Sequence, residues 1–358
     1  MITSEYRIIG VMSGTSLDGI DLAHITFTSD FGKWDFEIHE SETLPYNDYW
    51  KNTLKTLIHF SQDELLDIDI AYTQYLGKII HNFINKHNLQ GRLDGVCSHG
   101  HTALHQPEQG LTYQIGNRRE LAILVNTTIV CDFRVQDVKL RGQGAPLVPI
   151  GDRLLFSQYE HCLNLGGFAN ISSEHNGQRI AYDICPVNII LNHYITKLGL
   201  AFDNKGVLAS TGEIQKELLS KLNNLEFYKL KWPKSLGLEW VIETVLPLID
   251  GYNLEIKDIL RTVVEHVAIQ IASCTNANEK GRILVTGGGV YNTFLMECIE
   301  AHSTHNIIIP QDEIVEFKEA LVFGLLGVLK LRDEINCLSS VTGAAQDHSS
   351  GRIFKAEI

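Results

Sequence analysis

The alternation of apolar and polar positions predicts three strands at the start of the chain, followed by two helices. The strands are predicted at residues 7–12, 21–27 and 34–42. The helices, in which apolar residues recur at helical spacing, are predicted at about 48–60 and 65–86. Two short apolar runs then predict buried strands at 94–98 and 129–132, and the segment 99–105 is predicted to be a loop.

The second half of the chain follows the same order. Strands are predicted at 161–165, 171–173, 179–184 and 282–286, with hairpin turns at 166–170 and at Asn176-Gly177. Helices are predicted at about 188–198, 214–222 and 257–276, from about 292, and at 318–331. Since both halves open on strand hairpins and continue with helices and buried strands, we predict an α/β protein of two related lobes. No obvious sequence repeat links the halves.

The composition and charge of the chain indicate which classes of protein it can belong to. The 358 residues are 44% hydrophobic and 20% charged, which suits two globular domains. The net charge of −13 argues against a general affinity for nucleic acid. The seven cysteines include no C-x-x-C pair, so we expect reduced thiols rather than a zinc ribbon. The start of the chain lacks a signal-peptide pattern, and the longest apolar run, 320–329, is too short to cross a bilayer. We therefore expect a cytoplasmic protein without a membrane partner.

Three turns after predicted strands contain the small residues that let backbone N–H groups approach an anion. These turns are residues 13–19, within the hairpin 10–21, and residues 166–170 and 287–289. In the first, the hydroxyls of Ser13, Thr15 and Ser16 are candidate donors to phosphate oxygens. Asp18 is a candidate Mg²⁺ ligand, directly or through water. Each turn alone is also compatible with a hairpin that binds nothing. Because the P-loop and G-x-G-x-x-G motifs are both missing from the sequence, the three turns together favour a nucleotide clamped between two lobes.

Several other polar residues near strand ends are candidates for chemistry. His99, His101 and His105 suggest a zinc site, polar contacts to a substrate, or structural histidines. Arg134 suits a carboxylate or phosphate, or else an ion pair with a nearby aspartate. The Gly/Pro-rich segment 141–149 is predicted to be an interdomain hinge or the base of a lid.

Two carboxylates are also candidates for a catalytic or binding role. Asp183 is predicted to end a strand, where it suits a general base or a simple turn aspartate. Glu319 is predicted in the first turn of the last helix, where it reaches a sugar hydroxyl or solvent.

Taken together, these motifs resemble the anhydro-N-acetylmuramic acid kinase family, a member of the sugar kinase, Hsp70 and actin superfamily. The matching segments follow the family's order and span nearly the whole chain. They are residues 11–21, 98–102, 131–134, 142–149, 164–170, 233–237, 287–292, 318–320 and 340–344.

The resemblance implies a two-lobed actin-like ATPase fold, built from duplicated ribonuclease H-like domains with an interdomain cleft. It implies ATP-dependent opening and phosphorylation of 1,6-anhydro-N-acetylmuramic acid, with ATP and Mg²⁺ as cofactors and Asp183 as the base that activates water. The substrate pocket would include His101, Thr102, Arg134 and Glu319, with Arg134 at the lactyl carboxylate. The ATP site would include Gly14, Thr15, Ser16, Leu17, Asp18, Gly19, Ile20, Asp21, Gly166, Gly167, Gly287, Gly288 and Gly289.

We predict a first lobe of residues 1–138 plus about 336–358, with the phosphate hairpin and part of the sugar site. A second lobe, 139–335, would carry the second hairpin, the adenosine site and the catalytic aspartate. Two segments depart from the family pattern. The usual D-T-G-P-G-N is Asp183-Ile-Cys-Pro-Val-Asn188, and the usual G-Q-T is Gly100-His101-Thr102.

The sequence is also compatible with other functions. A non-catalytic sugar or nucleotide sensor, a kinase of a related sugar and a polymerising actin-like ATPase are the alternatives. The partners expected are the anhydrosugar and ATP, and the sequence leaves a homodimer open.

Overall fold

The computed structural model describes residues 4–14, 17–276 and 280–356. The strands are β1 Ser4–Met12, β2 Gly19–Asp30, β3 Lys33–Pro45, β4 Gly95–Ser98, β5 His101–Gln106, β6 Leu111–Ile115, β7 Ile129–Cys131, β8 His161–Leu165, β9 Phe168–His175, β10 Gln178–Pro186, β11 Arg282–Thr286, β12 Asn306–Ile308 and β13 Arg352–Phe354. The helices are α1 Asp48–Lys55, α2 Gln62–Lys86, α3 Glu120–Val125, α4 Val135–Lys139, α5 Pro149–Leu155, α6 Asn188–Ile195, α7 Val207–Ser210, α8 Lys216–Asn223, α9 Leu238–Trp240, α10 Leu246–Asp250, α11 Ile256–Thr275, α12 Thr293–His302, α13 Asp312–Leu331 and α14 Ser339–Thr342.

The chain divides into two compact units, and the first is built on a mixed sheet. Its strand order is β13-β7-β4-β1-β2-β3. β1, β2 and β3 are antiparallel neighbours, whereas β4 is parallel to β1 and β7 is parallel to β4. α2 begins at a capping box between Ser61 and Glu64, and its buried face joins a core with the sheet residues Ile9 and Val11.

The second unit repeats that arrangement. Its sheet has the order β10-β9-β8-β11-β12, with an antiparallel β8-β9-β10 meander and with β11 parallel to both β8 and β12. When the strands of each sheet are numbered along the chain, both sheets have the order third, second, first, fourth, fifth. In the first unit a sixth strand, β13, follows at the edge. This shared order confirms the predicted pair of related α/β domains. The buried face of α11 packs in the core of this unit, with Leu163 and Val285 from the sheet.

The division between the units differs from the predicted one. The first unit comprises Met1–Leu155 and Phe317–Ile358, and the second comprises Phe156–Glu316. Residues 139–155 and 317–335 thus belong to the first unit rather than to the second lobe. The cause is the close packing of α13 on this sheet, because a Cβ at Gly10 would collide with the carbonyl of Ala320. A buried ion pair between Lys318 and Asp152, 2.7 Å long, adds α5 to the same unit.

The segment 141–149, predicted to be a hinge, is anchored within the first unit. The Gln143 N–H donates to the Thr342 carbonyl at 2.8 Å, and the Gly144 N–H donates to Asp137 Oδ2 at 2.7 Å. The unit boundary comes six residues after Pro149.

Two further local predictions in the first unit were wrong. Most of the predicted loop 99–105 forms β5, because residues from His101 onward pair with β6. The last helix begins at Asp312, not at Lys318, so Glu319 lies in its third turn rather than its first. Within the described ranges, no helix combines the length and apolar character that crossing a membrane requires.

Candidate functional site

The first glycine-rich turn joins β1 to β2 in the first unit. Ser13 and Gly14 follow β1, and Gly19 opens β2. Gly19 is required by packing, since a Cβ there would lie 2.5 Å from the Leu44 carbonyl oxygen. The Asp18 side chain is exposed, and Asp21 Oδ1 accepts a hydrogen bond from Thr43 at 2.6 Å. The predicted ATP contacts Thr15 and Ser16 lie outside the described residues.

Behind this turn lies a buried hydrogen-bonded cluster that the sequence did not reveal. Ser13 Oγ lies 2.8 Å from His101 Nδ1 and 2.5 Å from the Tyr46 hydroxyl. The Tyr72 hydroxyl donates to Ser13 Oγ at 3.0 Å and lies 2.6 Å from that of Tyr46. The His101 ring, predicted to contact the substrate, is only 2% exposed. It therefore supports the turn through Ser13.

This burial gives a testable dependence of stability on pH. Desolvation lowers the pKa of His101 to about 4, against about 6.5 in the unfolded chain. The unfolded state therefore takes up a proton first, and this stability is lost as pH falls from about 6.5 to 4. Between pH 7.5 and pH 5 the loss is about 2 kcal/mol.

We expect His101→Gln, which removes this titration, to gain about 2 kcal/mol relative to wild type over that interval. Urea unfolding of both proteins at the two pH values measures the change. The prediction is wrong if the variant and the wild type differ in unfolding free energy by the same amount at pH 7.5 and at pH 5.

Arg134 is held by two neighbours in the first unit. Its Nε donates to His99 Nε2 at 2.8 Å, and its Nη1 donates to the Gly144 carbonyl at 2.7 Å. Since His99 Nδ1 lies 2.8 Å from the Gly100 carbonyl, His99 carries its proton on Nδ1 and accepts at Nε2. Burial and the Arg134 charge lower the pKa of His99, so the ring is neutral. A neutral partner orients the guanidinium without cancelling its charge.

Glu319 and Thr102 belong to the same unit as Arg134. Glu319 is an exposed residue, yet the protein atoms around its carboxyl raise its pKa by desolvation, against the lowering effect of Arg134 and Lys318. Thr102 is half-buried at a bulge where β5 pairs with β6. These side chains offer a cation, a carboxyl group and a hydroxyl, which suit recognition of a polar, anionic small molecule.

In the second unit, hydrogen bonds to its backbone carbonyls hold the turn between β8 and β9. The Val187 N–H donates to the Gly167 carbonyl at 2.8 Å, and Asn188 Nδ2 donates to the Gly166 carbonyl at 2.9 Å. A Cβ at Gly167 would have its nearest neighbour at 4.0 Å, so this glycine presents an open backbone surface. Such a surface suits the close approach of a phosphate group.

Asp183 lies within β10 at a bulge, rather than at the end of a strand as predicted. The strand continues to Pro186, which pairs with Phe168. The Asp183 N–H donates to the Lys234 carbonyl at 3.1 Å, and Asp183 Oδ2 accepts from the Leu236 N–H at 2.8 Å. The segment 233–237, one of the segments on which the resemblance rests, thus fixes this aspartate.

Burial raises the pKa of Asp183, although the Leu236 N–H acts in the opposite direction. The carboxyl is half-buried and keeps access to solvent. A carboxylate with a raised pKa is a better proton acceptor, which is the property that a general base requires.

The departures from the family pattern after Asp183 face the core. Ile184, Cys185 and Val187 are each no more than 1% exposed and belong to the hydrophobic core of the second unit. Val187, with φ −124° and ψ −95°, stands where the family pattern has a glycine. These substitutions therefore lie in the core rather than on the exposed side of the strand.

The three glycines after β11 have different environments. A Cβ at Gly287 would lie 2.5 Å from Asn164 Oδ1, and one at Gly289 would lie 2.6 Å from Leu165 Cβ. Gly287 also has φ +86°, which favours glycine. Gly288 is exposed, and a Cβ there would meet no protein atom within 4 Å. Packing explains the outer two glycines and leaves the middle one unexplained.

Two solved structures align with most of this chain. The activator of the 2-hydroxyisocaproyl-CoA dehydratase from Clostridium difficile, with bound ADPNP, aligns with 92% of this chain and 96% of its own at 13% identity and a TM-score of 0.41. A ROK family glucokinase from Streptomyces griseus, in complex with glucose and AMPPNP, aligns with 90% of this chain and 99% of its own at 10% identity and a TM-score of 0.39.

Sequence relatives are much closer. Residues 6–356 match the family described as anhydro-N-acetylmuramic acid kinase. The protein of that name from Pasteurella multocida is 33% identical, with 98% of this chain and 97% of the relative aligned. The one from Idiomarina loihiensis is 32% identical over 81% of this chain and 82% of its own. This chain therefore belongs to the anhydro-N-acetylmuramic acid kinase family.

Proposed function

We propose that this protein uses ATP to convert 1,6-anhydro-N-acetylmuramic acid to N-acetylmuramic acid 6-phosphate, a step in the recycling of cell-wall murein. Water adds at the anomeric carbon and opens the anhydro bridge. The sugar oxygen O6 released by that opening takes the γ-phosphoryl group, and ADP leaves. The atoms balance, because one water and one phosphoryl group enter the sugar.

The main support for the proposal is the raised pKa of Asp183. This aspartate lies in a chain that matches the family over residues 6–356. Its carboxylate accepts the proton of the attacking water, and burial raises its pKa toward that task. The Leu236 N–H holds Oδ2, so the orientation of the carboxylate is set before any substrate binds. A non-catalytic sensor would have no need for a base of this kind.

The sugar-binding role is assigned to residues of the first unit. Arg134 would pair with the lactyl carboxylate, since the planar guanidinium matches a carboxylate and is already oriented by His99 and Gly144. Thr102 and Glu319 would bind sugar hydroxyls. His101 would act indirectly, by fixing Ser13 at the start of the turn.

ATP would use the glycine-rich turns of both units. Residues Gly14 and Leu17–Asp21 would lie at the phosphates, with Gly166 and Gly167 as a second phosphate turn and the glycines at 287–289 near the adenosine. Mg²⁺ takes oxygen ligands and keeps several waters, which fits the exposed carboxylate of Asp18. When bound, Mg²⁺ would offset the negative charge that develops on the phosphoryl oxygens.

The contrast between Gly288 and Gly289 tests the adenosine assignment. We expect Gly288→Val to fold normally, because a Cβ at this exposed position meets no protein atom within 4 Å, yet to raise the KM for ATP at least about tenfold by occupying the nucleotide's place. Gly289→Ala, whose Cβ would overlap Leu165, should instead lower the melting temperature. Thermal unfolding and initial rates at varied ATP separate the two effects. An unchanged KM in folded Gly288→Val would remove this residue from the ATP site.

A coupled assay for ADP tests the activity itself. Purified protein with ATP and Mg²⁺ should release ADP only when the anhydrosugar is added. A sensor would bind both ligands without sugar-dependent turnover, and folded protein that behaves so would exclude the kinase proposal.

A further inference from the structure

Three buried side chains of the first unit form a cluster to which the proposed reaction gives no role. They are Asp137 of α4, Cys337, and His348 of the C-terminal segment. Their donor atoms all lie within 4.8 Å of one another. Asp137 is fully buried, Cys337 is 1% exposed and His348 is 5% exposed. Cys337 and His348 face each other across an antiparallel bridge, which brings their side chains together.

The histidine of this cluster has a buried ring nitrogen without a hydrogen bond in the described part of the chain. His348 Nδ1 lies 3.1 Å from the Gln346 carbonyl, and since a carbonyl only accepts, Nδ1 carries the proton. Nε2 faces Asp137 Oδ1 at 3.7 Å, which is too long for a hydrogen bond. Nε2 has no hydrogen-bond partner among the described residues. A buried nitrogen without a partner is costly, so its orientation toward a carboxylate and a thiol requires an explanation.

We propose that Asp137, Cys337 and His348 bind a zinc ion. Zinc takes sulfur, nitrogen and oxygen ligands at about 2.0–2.3 Å in tetrahedral geometry, which places neighbouring ligand atoms about 3.3–3.6 Å apart. Asp137 Oδ1 lies 3.1 Å from Cys337 Sγ and 3.7 Å from His348 Nε2, so binding the ion would need side-chain shifts of a few tenths of an ångström. A mixed thiolate, imidazole and carboxylate set favours zinc over Mg²⁺ or Ca²⁺.

Binding requires the Cys337 thiol to lose its proton. The Cys337 thiol donates to Asp137 Oδ1, and its proton leaves to the buffer as the metal–sulfur bond forms. Asp137 Oδ1 continues to accept from the Thr342 hydroxyl at 2.7 Å, which orients the carboxylate from outside the metal.

The ion would tie the C-terminal segment to the loop that holds Arg134. Asp137 Oδ2 accepts from the Gly144 N–H, and the Gly144 carbonyl accepts from Arg134 Nη1. Bound zinc would therefore stabilise this part of the first unit. The inference does not depend on the proposed reaction.

The test uses the full-length protein, stripped of metal and titrated with Zn²⁺ or Co²⁺. We expect one Zn²⁺ per chain, a higher melting temperature with Zn²⁺, and a sulfur-to-cobalt charge-transfer band with Co²⁺. Cys337→Ser and His348→Gln should each weaken Zn²⁺ binding at least about tenfold. Cys298→Ser, which changes a buried cysteine of the second unit, is the matched control and should bind as wild type does.

Three results would overturn the proposal. They are folded wild-type protein that binds no metal, Co²⁺ binding without the charge-transfer band, and binding that neither variant weakens. If Cys337→Ser fails to fold, the wild-type Co²⁺ spectrum and His348→Gln decide the question.

Discussion

Asp183→Asn should lower kcat by about 10²–10⁴-fold while ATP binding stays within about twofold of wild type. The amide removes the proton acceptor but keeps an oxygen for the Leu236 N–H, so the bulge in β10 is preserved. Turnover is measured as ADP release with saturating anhydrosugar, and ATP binding by calorimetry. Asp250→Asn, a change to another half-exposed aspartate of the second unit, is the matched control and should leave kcat unchanged.

The same residue sets the acid limb of the pH profile. Because burial raises the pKa of Asp183, turnover should fall with decreasing pH at a midpoint above the ordinary aspartate value of about 3.9. The ionised form is the base, so activity is present above that midpoint and is lost below it. Near-normal turnover in Asp183→Asn, or an acid limb that the variant retains, would contradict the assigned role.

Arg134→Gln should lower kcat/KM for the anhydrosugar by about 10- to 100-fold, because a hydrogen bond to a charged group contributes about 1.5–3 kcal/mol. The effect should depend on the lactyl carboxylate. Wild type should prefer the lactylated sugar over the same anhydrosugar without its lactyl group, and the variant should lose most of that preference.

The ratio of kcat/KM for the two sugars separates recognition from folding, because a folding defect lowers both values alike. Arg352→Gln, which changes an exposed arginine of the same unit, is the matched control and should keep the wild-type ratio. An Arg134→Gln ratio equal to that of wild type would assign the carboxylate to another residue.

Local patterns in the sequence were sufficient for most elements. The hairpin strands and the long helices α2 and α11 were predicted, since alternation and helical spacing are properties of neighbouring residues. The start of α13 was misplaced, although Pro310, Asp312 and Glu313 are residues typical of a helix start. This error moved Glu319 from the third turn of the helix to the first.

Contacts between distant segments could not be predicted in the same way. Nothing near His101 in the sequence indicates that Ser13, 88 residues away, bonds to its ring. Asp137 and Cys337 are separated by 200 residues, and neither has a neighbouring motif that suggests a metal site. The division into units was also misplaced, since the packing of α13 against Gly10 depends on tertiary contact.

The reaction run in ¹⁸O-labelled water, with ATP, Mg²⁺ and 1,6-anhydro-N-acetylmuramic acid, tests the central claim most directly. The proposal predicts a sugar product heavier by one phosphoryl group and one water, with the label at the anomeric carbon when the reaction is quenched before exchange. ADP should form in equal amount. Folded protein that yields no phosphorylated sugar, or a product that has gained a phosphoryl group without water, would contradict it.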